Sequence, residues 1–168
     1  MKCLNPSFCS FPPTDVRFWF KEEGGAVKEV NAHTQILASA SEVFNREFYG
    51  NLKCERDIEI NDAKQEVFKT MVEFIYNKKP SYKDVELGFL ASLYYLADKY
   101  DIGELRNEII SSIRMHVVTK ENLLDVANLA EENVLHQPLS EALYDVAVSF
   151  VENAEGSGNK LKSVGFIH

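Results

Sequence analysis

Cysteine is scarce in this sequence. The 168 residues include three cysteines, Cys3, Cys9 and Cys54, and no two of them form a CxxC pair. A structural zinc site needs about four nitrogen or sulfur ligands at short spacing, and Cys3, Cys9 and His33 are one ligand short of that number. Free thiols in a reducing compartment are the simpler interpretation, so we expect a cytoplasmic or nuclear protein without a metal site.

Basic residues and long apolar runs are also few. The chain has 18 Lys and Arg against 26 Asp and Glu, which gives a net charge of −8. An acidic chain neutralises phosphates poorly, so neither nucleic acid nor an anionic membrane is expected as a partner. No stretch approaches the roughly 20 apolar residues that a membrane-spanning helix needs. The first 14 residues contain three prolines and no apolar run typical of a signal peptide.

Catalytic motifs are missing as well. The sequence contains no GxSxG elbow, no Walker loop, no GxGxxG and no pair of histidines at metal-ligand spacing. The acidic pairs Glu22-Glu23 and Glu131-Glu132 lie in polar runs that are typical of solvated faces. We therefore predict no catalytic residue and no cofactor. An enzyme remains a third hypothesis, which requires a polar pocket with converging titratable groups.

The first third of the chain carries strand patterns. Residues 16–20 alternate apolar and polar side chains, residues 27–32 form a second short run, and Gly24-Gly25 lies between them. Two glycines between such runs indicate a hairpin, because glycine reaches the positive φ angles of tight turns. Residues 57–60 are a third strand candidate.

Most of the remaining sequence has helical periodicity. Ser41 can cap a helix that carries Val43, Phe44 and Phe48, and Asp62 with Gln65 resembles a capping box. The helix that follows this capping box is expected to end at Lys78-Lys79-Pro80, because proline breaks the hydrogen-bond ladder.

Two further helices are predicted near the end of the chain. Thr119 can cap the first, and Pro138 suits the first turn of the second. Glu155 to Gly158 indicates the start of a linker. A small sheet covered by many short helices makes the expected fold class α+β.

One set of sequence motifs is more specific than the composition and the periodicity. Val30 to His33, followed by Ile36 to Phe44, resembles the BTB/POZ signature in which a strand runs into an AHxxxLaxxSxxF helical turn. The similarity continues over roughly residues 14–115, and Phe48 to Leu52 further resembles the BTB-BACK-PHR group. The organisation that the resemblance implies is an N-terminal arm at 1–13, a BTB/POZ domain at 14–118, BACK/3-box-like helices at 119–155 and a flexible tail at 156–168.

The resemblance implies an interaction module, because BTB domains homodimerise and many bridge a substrate to the cullin-3 ubiquitin ligase. The expected partners are therefore a second copy, cullin-3 and an unidentified protein substrate. The residues implied for the dimer face are Asp15, Arg17, Trp19, His33, Thr34, Leu37 and Phe44. Those implied for the cullin face are Phe48, Tyr49, Leu52, Glu55 and Tyr94. Trp19 is either an interface anchor or packs under the N-terminal arm, and helical aromatics such as Tyr94 are often core residues instead.

Two positions depart from the family pattern. Repressor-type BTB domains often pair the aspartate at Asp15 with a basic residue just after the histidine, and here that position is Thr34. Cullin-binding members tend to carry a hydrophobic-x-Glu motif, and here Cys54 replaces the glutamate, with Glu55 one place late. The alternative function is therefore a self-association module, either a scaffold or transcription-related, that binds no ligase.

The negative charge is unevenly distributed. Residues 1–118 carry a net charge of −3, residues 119–155 carry −7, and residues 156–168 carry +2. Such an acidic segment is either a solvated outer face of two amphipathic helices or a docking face for a basic partner.

Overall fold

The computed structural model describes residues 13–22, 24–51, 55–77, 82, 85–115, 118–133 and 136–162, with side chains as far as residue 153. The chain divides into two compact units, Met1–Lys78 and Lys79–His168. All the strands among the described residues lie in the first unit, and the second is helical. The α+β class predicted from the sequence is confirmed.

A three-stranded sheet forms the centre of the first unit. Its strands are β1 (Val16–Lys21), β2 (Val27–Ala32) and β3 (Asp57–Glu59). The middle strand β1 pairs antiparallel with β2 and parallel with β3. Its alternating sequence buries Val16, Phe18 and Phe20 on one face and turns the intervening side chains toward the other.

The turn between β1 and β2 confirms the predicted hairpin. Gly24 and Gly25 have φ angles of 95° and 83°, a region that residues with a Cβ atom rarely occupy. The Glu22 amide donates to the Ala26 carbonyl at 2.9 Å, and the Gly25 amide donates to the Glu22 carbonyl at 3.0 Å. The two glycines therefore close the turn without strain.

Three helices complete the described part of the first unit. They are α1 (Thr34–Ala40), α2 (Glu42–Tyr49) and α3 (Gln65–Ile75). The Ser41 cap is confirmed, because its hydroxyl accepts the Phe44 amide at 3.1 Å. The capping box at Asp62 is wrong: α3 has Lys64 at its N-cap position. The Gln65 side chain instead donates to the Glu29 carbonyl of β2 at 3.4 Å.

Helix α3 ends earlier than the sequence predicts. Asn77 adopts a left-handed φ of 58°, and its amide donates to the Phe74 carbonyl at 2.9 Å. Asparagine tolerates this conformation and commonly ends helices in this way. The helix has therefore stopped before the Lys78-Lys79-Pro80 segment, which lies outside the described residues.

Aromatic rings fill the core between the sheet and these helices. The Phe18 ring centroid lies 4.7 Å from that of Phe68 and 6.1 Å from that of Phe44. Phe44 in turn stacks on Phe48 at 5.6 Å. Tilted ring pairs at these separations stabilise a core beyond the area that they bury.

The second unit consists of helices. They are α4 (Leu87–Lys99), α5 (Gly103–Arg114), α6 (Leu123–Glu132) and α7 (Gln137–Lys162). Asp101, at φ 51°, ends α4, and the Ile102 amide donates to the Ala97 carbonyl at 2.7 Å. Helices α6 and α7 pack antiparallel, with the Ser140 hydroxyl donating to the Ala130 carbonyl at 2.9 Å.

The starts and ends of α6 and α7 differ in part from the predictions. Pro138 lies in the first turn of α7, as predicted. Asn122, not Thr119, holds the N-cap position of α6. Thr119 caps the turn just before the helix, where its hydroxyl accepts the Asn122 amide at 3.4 Å and Asn122 Oδ1 accepts the Thr119 amide at 2.7 Å. Helix α7 continues to Lys162, past the predicted linker start at Glu155 to Gly158. Glycine costs a helix about 1 kcal/mol but does not forbid it.

Candidate protein-interaction surface

The outer face of β1 is charged. The Arg17 guanidinium bonds both carboxylate oxygens of Asp57, with Nε–Oδ1 at 2.9 Å and Nη2–Oδ2 at 2.6 Å. A third nitrogen, Nη1, reaches Glu29 Oε1 at 3.0 Å, so one side chain bridges all three strands. The hydrogen bond from Arg17 lowers the pKa of Asp57, and the same bond raises the pKa of Arg17. These groups are about half exposed, so their stabilising effect is small.

Trp19 lies half-buried on this same face. Its ring is covered in part by Lys21, whose Nζ lies 5.1 Å from the ring centroid and 2.7 Å from Glu59 Oε1. Of the two interpretations of Trp19, an exposed interface anchor requires the apolar ring to be reachable, and its partial exposure meets that requirement. The N-terminal arm of the other interpretation lies outside the described residues.

Asp15 caps helix α1 from outside the helix. Its Oδ1 accepts the Thr34 amide at 2.8 Å and its Oδ2 accepts the Thr34 hydroxyl at 2.7 Å. His33, at the N-cap position, makes no side-chain cap bond, so Asp15 takes that role. Burial raises the pKa of Asp15, but the Thr34 hydrogen bonds and the Arg56 charge outweigh it and hold the pKa below its ordinary value.

Arg56 gives Asp15 the cationic partner that the sequence does not predict. Its Nη1 lies 3.2 Å from Asp15 Oδ2, from a position 41 residues along the chain. The resemblance places a basic residue at position 34, where this chain has threonine. The charge pair therefore forms here through the loop before β3. No signal local to Asp15 predicts it, because the pairing depends on strand order.

His33 is fixed to the end of α3. The Tyr76 hydroxyl accepts the His33 backbone amide at 2.8 Å and lies 2.6 Å from the ring Nδ1. Burial raises the pKa of Tyr76, and the His33 amide opposes that shift in part. His33 therefore joins α1 to α3 within the first unit, on the wall of a groove that Glu29, Asn31 and Lys69 also line.

Three of the residues implied for the dimer face are core residues in this chain. Thr34 has 1% of its surface exposed, and Leu37 and Phe44 have none. In this conformation they offer almost no contact area to a second copy, because they pack beneath the surface residues. Asp15, Arg17, Trp19 and His33 are the members that present atoms at the surface. The dimer face itself stays a prediction.

The residues implied for the cullin face separate in the same way. Tyr49 is 55% exposed, and its hydroxyl lies 3.0 Å from the Thr34 hydroxyl. Glu55 is also exposed, whereas Phe48 lies on the buried side of α2. Leu52 and Cys54 lie outside the described residues. This face also stays a prediction.

Tyr94 lies in the second unit and is a core residue. It is 4% exposed, and its ring meets the edge of the His136 ring at a centroid distance of 6.3 Å. Burial raises the pKa of Tyr94, and nearby Asp98 adds to that shift. The interpretation of helical aromatics as core residues therefore describes Tyr94 in this unit.

Among the described residues, no three His, Cys, Asp or Glu side chains come together as a metal site. In that part of the chain, none of the helices has both the length and the apolarity for a membrane crossing.

Known proteins resemble this chain over most of its length. A family model for the BTB/POZ domain matches residues 4–116. A putative BTB/POZ domain-containing protein of Arabidopsis thaliana is 31% identical over 141 residues, which are 79% of each chain. A second Arabidopsis protein of that description is 33% identical, and the match covers 79% of this chain but 57% of the relative.

More distant matches come from animals. Mouse BTB/POZ domain-containing protein 6 is 28% identical over 135 residues, which are 79% of this chain and 24% of that protein. The solved BTB domain of zebrafish PATZ1 aligns with a TM-score of 0.49 and 23% identity, over 61% of this chain and 77% of that one.

Proposed function

This chain belongs to the BTB/POZ family, whose domains associate with themselves and bind partner proteins, and from that premise we propose that it is a homodimeric adaptor for a cullin-3 ubiquitin ligase. In this role it links a recruited protein to the ligase and performs no chemistry itself. We take α6 and α7 as the start of a BACK/3-box-like extension. The sparse thiols suit a cytoplasmic or nuclear site of action.

The exposed end of α2 is the observation that carries this proposal. Tyr49 ends the helix with more than half of its surface in solvent, and the exposed Glu55 follows shortly after the hydrophobic-x-Glu position. A half-exposed aromatic side chain is typical of an interface anchor, and an exposed acid close to it in the sequence suits a polar rim. Phe44 and Phe48 of the same helix are buried, by contrast, so the Tyr49 ring lies outside the core.

Co-elution tests the cullin step. Purified chain mixed with the cullin-3 N-terminal domain is expected to elute as a complex, and Leu52→Glu is expected to abolish it. Val27→Glu is the matched control, since Val27 is 56% exposed and lies on β2, outside the proposed face. Absence of a complex at tens of micromolar, or equal loss in both variants, would contradict the proposal.

Self-association without ligase binding is the second candidate, and Cys54 favours it. A thiol is a weak, uncharged acceptor and does not replace the hydrogen bonds that a carboxylate accepts. Cys54→Glu separates the candidates, because it should tighten cullin binding in an adaptor and leave a pure self-association module unchanged. Light scattering should give a dimer in both cases, and a monomer at high micromolar concentration would contradict both.

A further inference from the structure

A groove runs along the outer edge of the sheet in the first unit. In the described part of the chain, β2 pairs with β1 on one side and with no strand on the other. Helix α3 forms the opposite wall, and the groove between strand and helix has a volume of about 320 Å³. Glu29 and Asn31 line it from the strand, and Gln65, Lys69 and Val72 line it from the helix. We call this surface the β2-edge groove.

The hydrogen bonds of β1 determine which backbone groups of β2 face this groove. The Arg17 amide donates to the Arg56 carbonyl at 2.8 Å, so the backbone of Arg17 bonds toward β3 and not toward β2. Asn31 is the residue opposite Arg17 in the antiparallel register. Because bonding directions alternate along a strand, the N–H and C=O of Asn31 point away from β1, toward the groove that this residue lines.

Side chains of α3 and the residue that follows it satisfy the neighbouring edge groups but not those of Asn31. The Tyr76 hydroxyl accepts the His33 amide at 2.8 Å, and Gln65 Nε2 donates to the Glu29 carbonyl at 3.4 Å. Among the described residues, none makes a hydrogen bond to the backbone N–H or C=O of Asn31. Unpaired groups at a sheet edge are a template for pairing with another extended chain.

One cation that lines the groove is also without an ion pair. Glu29 is paired with Arg17 at 3.0 Å, and Glu73, the other acid of the groove, already has a partner. Lys69 is exposed and forms no ion pair within the part of the chain that the structure describes. The β2-edge groove therefore offers an uncompensated positive charge beside the unpaired backbone of Asn31.

From these observations we propose that the β2-edge groove binds an extended segment of a partner protein, which adds a strand to β2 at Asn31 and places a carboxylate side chain against Lys69. Main-chain hydrogen bonds hold such a segment, and alternate side chains of the segment point toward α3. These side chains repeat every 6.7 Å or so. An acid at Lys69 therefore brings the next side chain of the same row close to Val72, where an apolar residue fits.

Charge favours this occupant over a second copy of the chain. In an antiparallel pair of β2 edges, the second strand would turn Lys28 and the buried-side residue Val30 toward α3. Lys28 would then approach Lys69, and like charges across an interface repel. The second α3 would also lie on the side of the joined sheet where the first already lines the groove. The binding is independent of the cullin proposal, and only its description as the recruitment site of the adaptor rests on that proposal.

A designed peptide tests the groove. The probe has about seven residues and blocked termini, with valine, glutamate and valine at alternate positions and threonine at the others. This symmetric order lets either strand direction bring the glutamate to Lys69. Nuclear magnetic resonance titration of the isotope-labelled full chain should show saturable shifts of the Asn31 amide, with a Kd of about 0.1–1 mM because the ladder is short.

Control peptides separate backbone pairing from charge. Glutamine in place of the glutamate should weaken binding about twofold to fivefold, the range of an exposed ion pair. N-methyl groups on every second residue remove the amide donors from one edge of the probe. One of the two alternate N-methylated probes should lose binding and the other should keep it, because one edge of a strand faces β2.

A charge exchange locates the carboxylate. Lys69→Glu should weaken the glutamate probe at least about fivefold and should restore binding of a probe with lysine in place of the glutamate. Lys64→Glu is the matched control, since Lys64 is exposed just before α3 and does not line the groove. It should change the affinity of either probe by less than about twofold.

A pair of proline variants tests the strand edge. Asn31→Pro removes an amide that faces the groove and should lower the affinity of the glutamate probe at least about fivefold. Val27→Pro removes an outward amide of the same strand, outside the groove, and should leave the affinity unchanged. Thermal melting by circular dichroism shows whether both variants fold, and the charge exchange at Lys69 decides the question if Asn31→Pro does not.

Four results would overturn the proposal. They are no saturable binding, equal losses with the two N-methylated probes, no binding of the lysine probe to the Lys69→Glu variant, and slow hydrogen exchange of the Asn31 amide in the chain without probe. The fourth would show that a second copy or another segment of this chain already occupies the edge. Cullin co-elution without probe binding would leave the adaptor proposal standing and remove the groove from it, and probe binding without cullin co-elution would do the reverse.

Discussion

The outer face of the sheet and the helix pair α6–α7 differ in how completely their charged side chains are paired within the chain. On and beside the sheet, Arg17 forms ion pairs with Glu29 and Asp57, Lys21 pairs with Glu59, and Arg56 pairs with Asp15. In residues 119–155 eight acids outnumber the single base, Lys120, and α6 and α7 also expose apolar side chains there. Charges matched within the chain support the fold. Exposed apolar side chains such as Leu124 and Val148 add little to the fold and are available to a partner.

The largest expected effect lies beneath the sheet. Phe68→Ala removes a fully buried ring that contacts Phe18 and Phe20, and should lower the free energy of unfolding by about 4 kcal/mol. Leu124→Ala, which removes an exposed side chain of α6, should change it by less than about 0.5 kcal/mol. Urea denaturation monitored by circular dichroism measures both. Similar losses would show that Leu124 is structural and would erase the contrast between the regions.

The second-largest loss of stability is expected at Asp15, because its carboxylate accepts hydrogen bonds from two donors of Thr34, the amide and the hydroxyl. Asp15→Ala should cost about 1–2 kcal/mol, the range of a lost helix cap with a buried partner. The effect depends on pH. Folding lowers the pKa of Asp15 below its ordinary 3.8, so its contribution is complete above about pH 5 and is lost as pH falls through 3.8 to the lower folded value. The difference between wild type and variant should therefore shrink from pH 7 toward pH 3, and a constant difference would contradict the ionic cap.

Replacing Arg17 should lower the free energy of unfolding less than replacing Asp15 does, despite the three short contacts of the guanidinium. Its partners are exposed on a solvated face, so Arg17→Gln should lower the free energy of unfolding by no more than about 1 kcal/mol. Added salt should reduce the difference further, because it screens exposed pairs. Lys28→Gln, which breaks one pair with Glu22, is a milder control. A loss above 2 kcal/mol would mean that the sheet depends on this bridge.

The smallest effect is expected among the acidic residues of α6. Glu131→Gln should change the free energy of unfolding by less than about 0.5 kcal/mol, with a slight gain at low salt as repulsion within residues 119–155 falls. The measurement is the same urea titration at two salt concentrations. A clear loss of stability would show that Glu131 has a structural role.

Local patterns predicted the elements well. The alternation of β1, the two glycines of its hairpin and the Ser41 cap each depend on neighbours within a few residues, and the structure has all three. The errors are at helix ends. Asp62 and Thr119 have capping chemistry, but the helices start later, and Gln65 bonds a strand instead.

The site was harder to predict than the fold. The family resemblance placed Leu37 and Phe44 in an interface segment, yet it does not say which side of a short helix faces the core, and the structure buries both. Arg56 was missed because its partner is 41 residues away. The exposed row of α7 was missed because exposed valines look like core residues in a helical pattern.

The cap of α1 has a consequence for the order of folding. The helix has seven residues, well below the roughly 12–15 that an isolated helix needs for even marginal stability in water. Its capping carboxylate arrives from Asp15, at the entrance to β1, on the far side of the hairpin. The helix thus gains its cap only once β1 and β2 have paired, so formation of α1 follows hairpin closure and the two should unfold as one cooperative segment.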